Sequence, residues 1–211
     1  MLKLYHFHTS TCSKKVRITL AEKGMEWDSH HVNLFGQGDK GPEHLEPWYV
    51  KLNPVGVVPT LDHDGRIIIE SNIIIEYLDE LQPEPSLRPD DLWERAQMRR
   101  WLDKSEHVIH RNVNVISYRV RHADRWAQSS REEQIALINK QPNIARRAEY
   151  MRRFIQGISK EEEAGALEVL GSVMGEMEAT LQKQDWLAGT SYSLADIGVT
   201  PFVQRFEANS L

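Results

Sequence analysis

The chain holds one cysteine among 211 residues. Cys12 has no partner for an internal disulfide, which excludes a disulfide-stapled secreted scaffold and fits a reducing compartment. Met1-Leu2-Lys3-Leu4-Tyr5-His6 lacks the apolar stretch of a signal peptide, and no apolar run approaches the length needed to span a bilayer. These absences predict a soluble, cytoplasmic protein with no membrane partner. Charge of one sign is also scarce. With 26 basic against 31 acidic residues, the formal net charge is −5. That balance argues against non-specific binding to nucleic acid or to an anionic membrane. There is no internal repeat and no low-complexity segment. What remains is a chain long enough for one or two compact domains with a sizeable core.

The first part alternates strand and helix signals. Leu2 to Phe7 predicts a short strand. Cys12, Val16 and Leu20 recur every four residues, so a helix fits Cys12 to Lys23, with Gly24 as its stop. Trp27 to Leu34 reads as a second strand, Gly36 to Pro42 as a loop, and Glu46 to Leu52 as a short irregular helix. Thr60-Leu61-Asp62 and Ile67-Ile68-Ile69 flank Asp64-Gly65, a hairpin signal. A helix over Ser71 to Leu81 follows, with Ile74, Leu78 and Leu81 on one face. Gln82 to Pro89 is a linker by composition. Beyond it strand signals vanish. Asp90 to Arg121 carries mostly helix formers. Within Glu161 to Gln184, Leu167, Leu170, Met174, Met177 and Leu181 recur at three- and four-residue steps, which predicts a core stripe. Ser193-Leu194-Ala195-Asp196 is a capping-box pattern opening a last helix. The reading is an α/β domain over residues 1–82, a linker over 83–89 and an all-helical domain over 90–211.

The most specific run is Asn53-Pro54-Val55-Gly56-Val57-Val58-Pro59-Thr60-Leu61, followed by Glu70-Ser71. It resembles the glutathione-binding signature of the glutathione transferase family, and the two-part layout resembles that family's over nearly the whole chain. The resemblance implies a thioredoxin-like domain followed by a helical one, with glutathione as co-substrate. It implies a cis bond before Pro59, which turns the N–H and C=O of Val58 outward to pair with the cysteinyl unit of the tripeptide. Ser71 would dock the γ-glutamyl carboxylate at a helix start, where free N–H groups and the dipole favour an anion. Glu70 would accept the amine. His44 matches a position that binds the glycyl carboxylate, with Lys40 as a nearby substitute. Read from the residues alone, Ser71 is also an N-cap, Glu70 a first-turn acid and His44 a solvated loop histidine.

Chemistry requires the glutathione thiol as a thiolate. An ordinary thiol has a pKa near ~8.5 and is mostly protonated at neutral pH. Lowering it by about two units takes roughly 2.7 kcal/mol of thiolate stabilisation, within reach of a hydroxyl donor and a helix N-terminus. Between the first strand and helix runs His8-Thr9-Ser10-Thr11-Cys12-Ser13-Lys14-Lys15-Val16-Arg17. This resembles the Ser-Ser-Cys-Ser-x-x-Val-Arg pattern of zeta-type transferases, with Thr11 in place of the second serine. On that match Ser10 is the thiolate partner, with Thr11 and Cys12 beside it at the helix start. In the competing register of beta-type bacterial transferases, Cys12-Ser13 is the catalytic pair and Cys12 forms mixed disulfides. Cys12 also reads as a small buried apolar residue. Lys14, Lys15 and Arg17 read as a solvated helix face. His6, His8, His30 and His31 lack the spacing of a ligand set, so no metal is expected.

The second substrate is expected between the domains, against His8, Thr9 and the first long helix. There His107, His110, Asn114 and Tyr118 recur at helical steps and share a face. That face reads equally as a pocket for an aromatic, oxygen-bearing molecule or as a domain interface. Ser86-Leu87-Arg88-Pro89, Ile138-Asn139-Lys140 and the stretch from Leu181 through Asp196 are similar to bacterial β-aryl etherases of lignin catabolism. The resemblances imply an enzyme that activates glutathione for attack on a small hydrophobic or aromatic electrophile. β-Aryl ether cleavage and maleyl cis–trans isomerisation are the alternatives within that class. A non-catalytic glutathione-binding protein and a Cys12 thiol–disulfide enzyme are the alternatives outside it. The family implies a homodimer. It also implies further helices after the capping-box helix, so the chain is expected to be about one helical hairpin short at its C-terminus.

Overall fold

The computed structural model describes residues 1–36, 41–122, 126 and 128–209. Lys40 lies outside the described residues. A four-stranded sheet forms first. Strand β1 (Leu2–His6) pairs parallel to β2 (Asp28–His31) and antiparallel to β3 (Thr60–His63), which pairs antiparallel to β4 (Arg66–Ile69). The order is β2-β1-β3-β4. Leu2 and Leu4 alternate inward on β1 and are buried. Asp64 (φ 51°) and Gly65 (φ 83°) make the β3–β4 turn, both left-handed as a two-residue primed hairpin requires.

Three helices complete this half: α1 (Thr11–Glu22), α2 (Pro47–Leu52) and α3 (Ser71–Leu81). Helix α1 ends in a Schellman closure. Gly24 at φ 60° lets Gly24 N donate to Ala21 O and Met25 N to Leu20 O, both at 3.0 Å. Helices α1 and α3 pack on each other through Val16, Leu20, Ile74, Ile75 and Leu78. Leu81, expected on that face, is exposed. A buried ion pair, Lys23 Nζ to Asp79 at 2.6 Å, ties the end of α1 to α3.

The second half is helical: α4 (Leu92–Lys104), α5 (Arg111–Ser117), α6 (Arg131–Asn139), α7 (Ile144–Tyr150), α8 (Lys160–Leu181) and α9 (Leu194–Ala208). Three wider π turns interrupt these helices. Ser105–His110 joins α4 to α5, Tyr118–His122 continues α5, and Met151–Gln156 continues α7. Helix α9 opens with the expected capping box on Ser193 and Asp196 and packs against α1 and α4, so it seats the two halves together. Among the described residues, no helix is long and apolar enough to cross a membrane.

Two expectations are corrected. On α8 the buried side chains are Ala166, Leu170 and Val173, while Leu167, Met174 and Leu181 are 40%, 41% and 44% exposed. The apolar stripe is broader than the face its neighbours cover. Lys15 is not on a solvated face. It is fully buried where α1 meets α3 and the first π turn, and donates to Asn72 Oδ1 at 3.0 Å and Ser105 Oγ at 3.1 Å. Arg17 is also engaged, through Nη2, with the carbonyl of His8 at 2.9 Å.

Candidate active site

One cleft of about 820 Å³ lies between the two halves. The N-terminal wall brings together His8, Thr9, Ser10, Thr11, Cys12, His44, Val58, Pro59, Glu70 and Ser71, all expected there from sequence. The helical wall contributes His110, Asn114 and Tyr118, also expected. His107 does not join them. It is exposed and lines a neighbouring cavity instead, because the π turn rephases the helix face between 107 and 110.

The N-terminal wall is set by backbone. Ser10 is the N-cap of α1, and its Oγ accepts from Ser13 N at 3.2 Å. A hydroxyl that accepts once still has its proton to donate. Thr11 and Cys12 occupy the first turn, where helix N–H groups have no intrahelical acceptor. The stretch before Val58 is pinned by Tyr49 Oη and Asn53 Nδ2, which donate to Val57 O at 2.6 and 2.9 Å. The Val58–Pro59 bond is cis. Val58 lies just outside β3, so its peptide groups are not part of the sheet ladder.

The start of α3 differs from an ordinary cap. Glu70 is the N-cap, makes no side-chain capping bond, and holds φ at 69°. A non-glycine residue in that region carries a conformational cost of about 1–3 kcal/mol. Ser71 is the first helical residue and not the cap. Its Oγ is buried with no hydrogen-bond partner. His44 Nδ1 is likewise buried and unpartnered, and burial pulls its imidazole down to about 4, so it is neutral near pH 7. Two orphaned polar atoms facing one cleft are costly in the free protein unless a ligand or water meets them.

The helical wall is set by charge. Cys12 Sγ lies 3.9 Å from both ring nitrogens of His110, facing the ring and not one N–H. His110 Nδ1 is 3.0 Å from Glu106 Oε1, and Glu106 Oε2 is 3.7 Å from Lys15 Nζ. Burial disfavours every charge in this chain of groups, but the neighbours win. Against burial, Cys12 and Glu106 raise His110 to about 10. Against burial, His110 and then Lys15 pull Cys12 below the usual thiol value. Against burial, His110, Lys15 and Arg146 hold Glu106 down at about 2. The arrangement favours a charged imidazole beside a carboxylate and makes the neighbouring thiol easier to ionise. Cys12, Glu106 and His110 also form the one group of three metal-type donors within 4.8 Å of one another among the described residues.

Sequence reasoning did not find Glu106, Arg146, Glu149, Tyr150, Arg153, Phe154 or Arg205, which line the same cleft. Several sit on π turns, which have no clear local signal in sequence. Tyr118, Trp126 and Tyr150 surround Phe154 at ring-centroid distances of 4.4 to 5.1 Å.

A thioredoxin-like half followed by a helical half, with a cleft between them, is the layout of a glutathione-dependent enzyme. The chain belongs to the glutathione S-transferase family: residues 4–86 match the glutathione S-transferase N-terminal domain and residues 137–210 the C-terminal domain. It is 37% identical to Protein LigF of Sphingobium sp. over 93% of this chain and 75% of that protein. The crystal structure of the beta-etherase LigF superposes with a TM-score of 0.86 at 35% identity, covering 96% of this chain and 82% of that one. A maleylacetoacetate isomerase of Pseudomonas aeruginosa is 46% identical over 46% of this chain and 45% of its own length. The family takes glutathione as co-substrate.

Proposed function

We propose that this protein binds glutathione along its N-terminal wall, holds the thiol as a thiolate beside Ser10, and delivers it to an aromatic electrophile against the helical wall. One observation carries this reading: the Ser10 hydroxyl, with its proton free, shares a cleft with the unpartnered Ser71 Oγ and His44 Nδ1. Ser71 and the α3 N-terminus take the γ-glutamyl carboxylate, Glu70 its ammonium, Val58 the cysteinyl backbone and His44 the glycyl carboxylate. Thr11 and Cys12 N–H groups add positive potential at the α1 N-terminus.

Likeness to the etherase favours aryl ether cleavage over isomerisation. The thiolate attacks the carbon bearing the aryloxy group, a C–S bond forms, the C–O bond breaks, and the aryloxide leaves to be protonated. His110 also lines the cleft and would be the candidate to protonate that leaving group. The division into residues 1–82, 83–89 and 90–211, the homodimer and the cytoplasmic location belong to the same reading.

A second reading rests on the Cys12–His110 pair. Cys12 thiolate would attack glutathione disulfide, forming a Cys12–glutathione mixed disulfide and releasing one glutathione thiolate. Single-turnover assays of an aryl ether with glutathione, and of glutathione disulfide alone, in wild type, Ser10→Ala and Cys12→Ala, separate the two. Ether cleavage lost in Ser10→Ala and kept in Cys12→Ala supports the first reading. No ether cleavage, with a mixed disulfide formed in wild type and lost in Cys12→Ala, supports the second.

A further inference from the structure

The charges of the helical wall are unevenly spent. Glu106 is held by His110 and Lys15, and Arg146 acts on it only at longer range. Glu149 takes Arg153 Nη2 at 2.8 Å. Arg205 donates through Nη2 to the carbonyl of Thr9 at 2.6 Å. Two guanidinium groups are left with capacity. Arg153 is only 7% exposed, yet its Nε has no hydrogen-bond partner. Arg146 has no carboxylate within ion-pair distance among the described residues. Both line the cleft, and both also line the neighbouring cavity of about 900 Å³, so they stand at the junction of the two.

A buried arginine with an idle N–H is expensive. Each unpaired buried donor of a charged group forfeits more than a neutral one, and burial pulls the Arg153 guanidinium below its usual range. In the N-terminal wall the same signature, a buried polar atom without a partner, marks where glutathione fits. On the helical wall the one such atom on a lining residue is the Nε of Arg153, a cationic donor, so its missing partner is an anion. Tyr118, Tyr150 and Phe154 flank it. Their ring faces favour a flat, conjugated neighbour. A planar carboxylate matches the guanidinium fork, and its attachment to an aromatic ring places both halves of the molecule against groups suited to them.

We infer that the second substrate is an aromatic carboxylate, its carboxylate held by Arg146 and the Nε of Arg153 and its ring by Tyr118, Tyr150 and Phe154. This rests on the transferase reading for what happens at the thiol, but the anion subsite itself stands on the helical wall alone. The carboxylate anchors the far end of the molecule, so the electrophilic carbon points back towards Ser10. Arg146 selects the class of electrophile without touching the reacting atoms.

The test uses a pair of electrophiles, a chlorodinitrobenzoate and its methyl ester, in which esterification removes the charge, and conjugation rates are compared with those of the uncatalysed reaction of each. Binding to the full chain without glutathione is measured by calorimetry, in wild type, Arg146→Ala, Arg146→Lys and Arg153→Met. The acid is expected to bind about 10-fold or more tightly than the ester. Arg146→Ala, at a half-buried site, should remove most of that preference and leave the ester unchanged. Arg146→Lys should recover part of it, because the charge returns without the fork. Equal binding of acid and ester, or loss of both together in Arg146→Ala, overturns the proposal. Glutathione is then added and conjugation followed. An acid preference in binding with no conjugation of either compound leaves the carboxylate subsite standing and removes the transferase reading. Conjugation of both at equal efficiency does the opposite.

Discussion

The two walls of the cleft work by different means. The N-terminal wall offers peptide groups, a hydroxyl and two helix starts, and leaves Ser71 Oγ and His44 Nδ1 unpartnered. The helical wall offers full charges, most already paired with one another across the domain junction through Lys15, Glu106, His110 and Cys12. A site made of backbone suits one fixed ligand, because peptide geometry hardly changes with side-chain substitution. A site made of paired side chains on π turns can be rewritten one residue at a time. The difference teaches why a family can keep one co-substrate and vary the other.

That contrast can be broken in several ways. The largest effect is expected at Ser10. Ser10→Ala removes the hydroxyl proposed to donate to the bound thiolate, so kcat should fall about 100-fold while glutathione affinity changes by less than about threefold. Steady-state kinetics with a separate calorimetric Kd checks this, and equal losses in both would make Ser10 a binding residue. Ser71→Ala should do the reverse. It should weaken glutathione binding about 10-fold with little change in kcat at saturation, the cost of a hydrogen bond to a charged group.

On the helical wall the effects are electrostatic and depend on pH. His110→Gln should slow alkylation of Cys12 about 10-fold near pH ~6, because the imidazolium that lowers the thiol is gone. The gap should narrow only at high pH, because burial holds the Cys12 thiol up once His110 is gone. A constant gap at every pH would mean that His110 controls access to Cys12 and not its ionisation. The smallest effect is expected for Glu106→Gln, a loss of about 1–2 kcal/mol in unfolding free energy near neutral pH. Glu106 is depressed in the folded state to about 2 from 4.5. Its contribution is therefore present above the higher value and fades as pH falls through the lower one. Denaturant unfolding of both proteins should converge over that window. Parallel curves would show that the carboxylate charge contributes nothing.

Much of the fold was legible because its signals are local. Asp64-Gly65 turns β3 into β4, Gly24 stops α1 and Ser193 with Asp196 caps α9, each through bonds within a few residues. The N-terminal wall was legible for the same reason: apart from His44, its residues fall in three short runs, His8 to Cys12, Val58-Pro59 and Glu70-Ser71. The helical wall was only partly so. His110, Asn114 and Tyr118 were found by helical spacing, but Arg146 and Arg153 come from a different helix, and no local pattern links them to α1. Lys15 reads as solvent-facing within Lys14-Lys15-Val16-Arg17, and only the docking of α3 and the first π turn buries it. Periodicity identified the α8 stripe, but Leu167, Met174 and Leu181 show that it does not say how much of a stripe is covered.

The central claim is that Ser10 and the α1 N-terminus hold bound glutathione as a thiolate. It is tested most directly by titrating a Cys12→Ala variant with glutathione across pH and following thiolate ultraviolet absorbance. The substitution matters, because the Cys12 thiolate absorbs in the same range. The account predicts a bound thiol about two units below its free value of ~8.5, returning towards that value when Ser10 is also replaced by Ala. Saturable binding with the thiol unshifted would contradict it.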